Sequence, residues 1–243
     1  MTDHPVALVT GASRGIGLGI AAVLERSGFT TLRTARSWED PGPGRIAADV
    51  ADSDSHAAIV SDVLARFGRI DCLVNNAGIG SPVRGDFAQL APETFDKVMA
   101  VNLRGTVFFT QAVMRAMLAA ADARHPRSII FITSASATAA SPERLDYCMS
   151  KAALAMFARG LALRLAGHGV AVYEVRPGII RTDMTAGVAA KYDGLIAGGA
   201  VPERRWGEPG DIGSIVAALA SGAFPYATGT VIDAGGGLTI PRL

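Results

Sequence analysis

Val6-Ala7-Leu8-Val9-Thr10-Gly11-Ala12-Ser13-Arg14-Gly15-Ile16-Gly17 decides the fold. A short apolar run meets a glycine-rich turn, and Ile16, Ile20, Ala21, Val23 and Leu24 then recur at helical spacing up to Gly28. The segment reads as strand, glycine turn, helix. Gly11, Gly15 and Gly17 let the backbone turn tightly and approach a ligand. The helix start offers unpaired N–H groups and a positive dipole end to a phosphate. The spacing is G-x-x-x-G-x-G, not the G-x-G-x-x-G of the commoner dinucleotide fingerprint. An ordinary βα turn is the plainer reading, but Ser13 and Arg14 beside three glycines favour a diphosphate cradle.

Working outward, a second strand runs from Thr30 to Thr34 and ends at Ala35-Arg36. At this place an acidic residue binds the 2′-hydroxyl of NAD, and an arginine accommodates the 2′-phosphate of NADP. Ala35 stands where the acid is expected and Arg36 follows, with Arg14 as a second cation, so NADPH/NADP is the expected cofactor in preference to NAD. Two solvated surface arginines are the bland alternative. Ser37 to Gly44, with Pro41-Gly42-Pro43-Gly44, has no helical period and reads as a short crossover loop to a strand at Arg45–Ala48. Asp49-Val50 closes that strand, where a carboxylate can accept from the adenine amino group. Asp54 to Phe67 reads as a helix, and Ile70 to Val74 as a strand running into Asn75-Asn76-Ala77-Gly78. Small residues at Asn76, Ala77 and Gly78 let a cofactor lie against the strand end. Glu93 to about Ala121 reads as one long helix with Asn102 inside it.

The length suits one α/β domain, and 49% apolar residues suffice for a sizeable core. A net charge of +1 gives no field for a nucleic-acid partner. Cys72 and Cys148 have no metal-ligand spacing and read as buried or half-buried thiols in a reducing compartment. Neither a signal core nor an apolar stretch of about 20 residues occurs, so the expectation is a soluble cytoplasmic protein with no membrane partner.

Ser128 to Thr133 is a fifth strand with Ser134 at its carboxyl end, facing the crevice where open α/β sheets bind ligands. Ser136 is the rival serine. Tyr147 and Lys151 follow, four residues apart on a helix running to about Ala166, where Gly167 and Gly169 end it. Positions i and i+4 share a face. A cation within roughly 4–6 Å lowers a phenol's pKa, which suits Tyr147 to proton transfer at neutral pH. Alone, such a pair is usually exposed helix surface. Val170 to Val175 is a sixth strand, followed by Arg176-Pro177-Gly178-Ile179-Ile180-Arg181-Thr182. Residues 184–208 mix Gly, Ala, Lys and Arg with weak periodicity and suit a mobile lid. Pro209 and Asp211 open a helix to about Ser221, and Thr230 to Asp233 is the last strand.

Together these segments resemble the short-chain dehydrogenase/reductase family over nearly the whole chain, most of all its 3-oxoacyl-[acyl-carrier-protein] reductase-like group. The resemblance implies a single-domain Rossmann fold over 1–243, a doubly wound seven-stranded parallel sheet with helices on both faces, and a homotetramer. It places Asn102, Ser134, Tyr147 and Lys151 as a catalytic tetrad. Tyr147 and Lys151 also touch the cofactor, and Pro177, Gly178, Ile180 and Thr182 form the nicotinamide loop. The implied activity is NADPH-dependent reduction of a ketone, a 3-oxoacyl group or another small carbonyl. Tyr147 gives the proton, Ser134 fixes the oxygen, Lys151 acidifies Tyr147 and holds the nicotinamide ribose, and Asn102 holds a water. Alternatives are alcohol or sugar oxidation, a lyase, epimerase or dehalogenase on the same sheet, and a non-catalytic NADP sensor. Two features depart from the group: the short loop after the second strand, and Glu143 and Arg144 just before Tyr147. These charges are either a solvated pair or an argument against a fatty-acyl substrate.

Overall fold

Seven strands pair side by side, all parallel, in one sheet of the computed structural model, which describes residues 3–38, 40, 42–120 and 124–242. They are β1 (Val6–Thr10), β2 (Thr30–Ala35), β3 (Arg45–Ala47), β4 (Cys72–Asn75), β5 (Arg127–Ile132), β6 (Val170–Pro177) and β7 (Val231–Ala234). The spatial order is β3-β2-β1-β4-β5-β6-β7, so β1 lies between β2 and β4 and the winding reverses there. Ligand crevices in open parallel sheets form outside the carboxyl ends of the strands at such a point.

Alternate residues of each strand feed opposite cores. Val6, Leu8, Leu73, Ile129 and Phe131 pack with α2 (His56–Phe67), α4 (Thr106–Ala119) and α5 (Leu145–Leu165). Ala7, Val9, Val74, Ile130 and Val175 pack with α1 (Gly15–Arg26) and α8 (Pro209–Ala220). Helices on both faces explain why the central strands are continuous apolar runs rather than alternating ones. The doubly wound architecture expected from the sequence is the one found.

Three local differences have physical causes. The helix expected from Glu93 onward is α3 (Pro92–Met99), a π-helical stretch at Ala100–Gly105, and then α4. The wide turn brings Gly105 against another segment: a Cβ there would lie 2.2 Å from the Val50 carbonyl oxygen. It also turns the Asn102 amide onto the Ile79 backbone. Residues 184–208 hold more regular structure than their weak periodicity implied. The segment carries α7 (Ala189–Ala197), preceded by the single turn α6 (Asp183–Ala186). A small core of Ile179, Ile196, Val201 and Trp206 fixes it, with the Trp206 indole N–H donating to Asp193 at 2.8 Å. Its neck is closed by Gly207 N–H to Ile179 O (3.0 Å) and Arg181 N–H to Gly207 O (2.9 Å). The strand boundaries also move by a residue or two, because the sheet's own pairing sets them. Pro41 of the second crossover and Ala121, the expected end of the long helix, lie outside the described residues.

The space around two glycines predicts opposite responses. Gly105→Ala drives a methyl into backbone and should destabilise by about 1–3 kcal/mol or more. A methyl at Gly194 in α7 meets open space, so Gly194→Ala should stabilise by roughly 0.4–1 kcal/mol. Urea unfolding of the two variants checks both signs.

Candidate active site

The glycine turn is held by β4. Thr10 Oγ1 accepts from the N–H groups of Asn76 and Ala77, both at 3.0 Å. The Asn76 amide donates back to the carbonyls of Thr10 and Gly11, again at 3.0 Å. Gly11 and Gly17 are needed for this contact. A Cβ on Gly11 would lie 2.7 Å from Ala77 Cα, and one on Gly17 would lie 2.4 Å from the Asn76 amide. Asn75 is used elsewhere, its amide donating to Thr110 Oγ1 at 2.8 Å. The first turn of α1 has no side-chain cap and no acidic residue. Its N–H groups therefore open onto the cavity with the positive end of the helix dipole. Gly15, at φ +56°, faces Thr182 across this cradle. A side chain on Gly15 would fill the gap, and the donor set suits a diphosphate.

The cradle is one end of a cavity of about 1110 Å³. Drug-sized sites are roughly 300–1,000 Å³, so a dinucleotide and a small substrate fit together. Its lining brings together every sequence-predicted cofactor residue: Gly11, Ser13, Arg14, Gly15, Ile16, Gly17, Arg36, Asp49, Val50, Asn76, Ala77, Gly78, Pro177, Gly178, Ile180 and Thr182. Ser134, Tyr147 and Lys151 line the same space. Arg36 is exposed at the end of β2 with no hydrogen bond or ion pair among the described residues. Arg14 instead leans toward Asp183 at 3.5 Å, with both side chains largely exposed.

Asn102 is the expected site residue that does not reach the cavity. It is fully buried. Its Oδ1 accepts from Ile79 N–H at 2.8 Å, and its amide donates to Ile79 O at 2.9 Å and Ser150 Oγ at 3.1 Å. Ser150 in turn donates to the Tyr147 carbonyl at 2.8 Å. Asn102 thus braces the loop after β4 against the first turn of α5.

Tyr147 and Lys151 are both buried in α5. The Ser134 side chain lies close enough to the tyrosine hydroxyl to act on its titration. Ser136, the rival serine, instead accepts from the Arg144 guanidinium at 3.1 Å. The electrostatics correct the sequence expectation. The phenol's pKa is raised rather than lowered, because burial dominates; the Ser134 hydrogen bond and the charges of Arg144 and Arg84 oppose it. Lys151 also lies beside the phenol. Its stem runs past the ring, with Nζ 5.8 Å from the ring centroid, and donates to the Ile132 carbonyl at 3.0 Å. Arg144 lies over the same ring, its guanidinium carbon 5.0 Å from the centroid. Burial lowers the Lys151 ammonium to about 8, against the pull of Glu174. Glu174 is itself buried, paired with Arg176 at 2.7 Å and accepting from Thr133 Oγ1 at 2.7 Å. Burial also lifts the Cys72 thiol to about 12, which keeps it protonated and inert.

Glu143 and Arg144 do not pair with each other. Glu143 reaches Lys191 on α7 at 3.2 Å, while Arg144 turns into the cavity. Sequence reasoning also missed Arg84, which lines the cavity from an aperiodic loop that gave no signal.

A family model described as enoyl-(acyl carrier protein) reductase matches residues 11–239. The chain is 36% identical to the 3-oxoacyl-[acyl-carrier-protein] reductase FabG of Escherichia coli K12, over 97% of this chain and 98% of that one. It is similar to a crystal structure of a 3-oxoacyl-[acyl-carrier protein] reductase from Brucella melitensis in complex with NAD. The identity there is 57%, with all of both chains covered and a TM-score of 0.98. An aldohexose dehydrogenase from Thermoplasma acidophilum superposes with a TM-score of 0.89 at 28% identity, over 98% of this chain and 95% of that one.

The state of Lys151 has a measurable consequence for stability. Its folded pKa of about 8 lies below the ordinary value of 10.5. Between these values the unfolded chain holds a proton that the folded chain has lost, so stability rises with pH through that window. The penalty is complete below it. Lys151→Met should therefore raise Tm at about pH 7, and the gain should shrink as the pH climbs past 8 toward 10. Paired thermal melts check this; a variant less stable at both ends would mean that the Ile132 bond outweighs the burial cost.

Proposed function

Since the chain belongs to the short-chain dehydrogenase/reductase family, we propose that it is an NADP-dependent reductase converting a ketone into a secondary alcohol. The observation that carries the reading is that Ser134, Tyr147 and Lys151 line one cavity together with the diphosphate cradle, Ser134 acting on the tyrosine hydroxyl. A nicotinamide dinucleotide, when bound, supplies the reducing equivalent. Ser13, Gly15, Ile16 and Gly17 would hold its diphosphate, Asp49 and Val50 its adenine, and Pro177, Gly178, Ile180 and Thr182 its nicotinamide. Two donors aimed at one oxygen stabilise charge as it develops there, and losing one such donor costs about 2.7–4 kcal/mol. Ser134 would fix the oxygen and Tyr147 would donate the proton.

A phenol held above its usual pKa is fully protonated at neutral pH, which suits a donor. An alkoxide is a far stronger base than any phenolate, so proton transfer remains downhill. Lys151 would bind the nicotinamide ribose, and Asn102 would support the wall behind Tyr147. The relatives named as 3-oxoacyl reductases support a 3-oxoacyl group as substrate. The aldohexose dehydrogenase keeps sugar or alcohol oxidation as the second reading. The label on the family model would require reduction of a carbon–carbon double bond, for which a hydroxyl pair on one oxygen has less use.

The cofactor choice rests on Arg36, and the NAD in the Brucella relative is the observation on the other side. A homotetramer is supported by an apolar edge on α5, where Met149, Met156 and Leu163 recur every seventh residue and the last is 84% exposed. Among the described residues no helix is long and apolar enough to cross a membrane, which is compatible with a cytoplasmic protein.

Tyr147→Phe should cut turnover of any ketone substrate by about 10²–10⁴-fold. NADPH binding, measured by fluorescence titration, should stay within about threefold of the parent, because charge and fold are kept. Near-parental turnover would remove Tyr147 from the reaction. Arg36→Ala should weaken NADPH by at least about tenfold and NADH by much less, since only the former carries the 2′-phosphate. Equal losses would detach Arg36 from that phosphate.

A further inference from the structure

The cavity beside Tyr147 carries a charge that no carboxylate among the described residues pairs with. Arg144 is half-buried and lines the cavity, yet its neighbours are neutral: the Ser136 hydroxyl at 3.1 Å and the Tyr147 ring. A guanidinium presents five N–H donors in a planar fork matched to a carboxylate. Arg84, on an exposed loop, also lines the cavity and has no hydrogen bond or ion pair among the described residues. The Arg144 guanidinium carbon lies 5.0 Å from the Tyr147 ring centroid, which puts this cation beside the place where the ketone would dock.

The nearby carboxylates are engaged elsewhere. Glu143 is drawn off by Lys191, Asp183 by Arg14, and Asp193 by the Trp206 indole. Asp146 is buried, where it accepts from Ser81 and from the Tyr147 N–H. A half-buried cation with only neutral partners is better satisfied when an anion arrives with the ligand.

We infer that Arg144, assisted by Arg84, is an anion subsite for the substrate's own carboxylate, so that the ketone reduced here belongs to a small oxo acid rather than to a neutral thioester. The inference rests on the reductase reading above and selects within it. Arg144 touches the carboxylate, and Ser136 holds the guanidinium in place. Because Arg144 sits over the Tyr147 ring, the carboxylate would stand within a bond or two of the ketone, as in 2-oxo and 3-oxo acids. The aldehyde end of a sugar and the acyl thioester of a carrier both lack the charge this end of the cavity expects.

The test compares matched pairs on the full-length protein with NADPH: 2-oxo and 3-oxo acids, their methyl esters, and 3-oxoacyl thioesters of N-acetylcysteamine. The parent should prefer at least one acid over its ester by at least about tenfold in kcat/KM. Arg144→Gln should bring that ratio near one, and Arg84→Gln should lower it. The ratio cancels any effect of Arg144 on the tyrosine itself, since that effect falls on acid and ester alike. A thermal-shift titration with the corresponding hydroxy acids runs beside it. A rise in Tm with the acid but not its ester, lost in Arg144→Gln, supports the subsite even if turnover is slow. Equal use of acid and ester by the parent, with no acid-specific shift, overturns it. So does an acid preference that survives in both variants. Reduction of ketones without acid preference would overturn the subsite and leave the reductase reading standing.

Discussion

The end of β5 is the constraint on which the site depends. Its final residue and the two after it hold partners from α5 and β6. The Ile132 carbonyl takes the Lys151 ammonium from α5. The Thr133 hydroxyl is held by Glu174 on β6, and its N–H by the Val175 carbonyl. Ser134 comes next, its hydroxyl capped by the Ser136 N–H and its side chain close enough to act on Tyr147. A buried strand end is stiff, because its ladder bonds and packing on both faces leave it no room to shift. Hydroxyl, phenol and ammonium are therefore spaced by one rigid backbone segment rather than by three loops.

The second fixed point is the Thr10–Asn76 exchange between β1 and β4. It ties the glycine turn to the strand on the other side of the winding reversal, so the cradle and the β5 end cannot move independently. Asn102 continues the same scaffold by joining Ile79 to α5 through Ser150. Around the cradle the cavity is lined by Gly11, Gly15, Gly17, Ala77 and Gly78, whose small or absent side chains leave room for a long flat ligand.

Much of this was legible in the sequence, and the reason is periodicity. Val6–Gly17 and the strands that follow are buried on both faces, so their apolar runs and glycine punctuation reflect sheet position directly. The Tyr147 and Lys151 pair could be placed because helix spacing puts i and i+4 on one face. What those side chains do once there was not legible. Whether the Lys151 ammonium meets a phenol or a carbonyl depends on how far β5 extends past α5, which no local pattern encodes. The π-helical turn was hidden because the apolar stripe of α3 and α4 continues through it. Arg84 was missed because loops have no period, and the parting of Glu143 from Arg144 depends on Lys191, which is distant in sequence.

The buried Lys151 and the half-buried Arg144 also show why the site is arranged as it is. Lys151 sits where its charge costs stability, with Glu174 nearby and the Ile132 carbonyl in contact. Those two groups offset only part of the burial cost. Arg144 has no comparable support: a neutral hydroxyl and a ring face hold it, and both leave most of its donors free. A cation fixed by the scaffold and a cation left for the ligand are different devices, although both are basic residues beside the same tyrosine. The distinction lies in their partners, and it separates the part of the cavity that would hold a cofactor common to many reductases from the part that selects what is reduced.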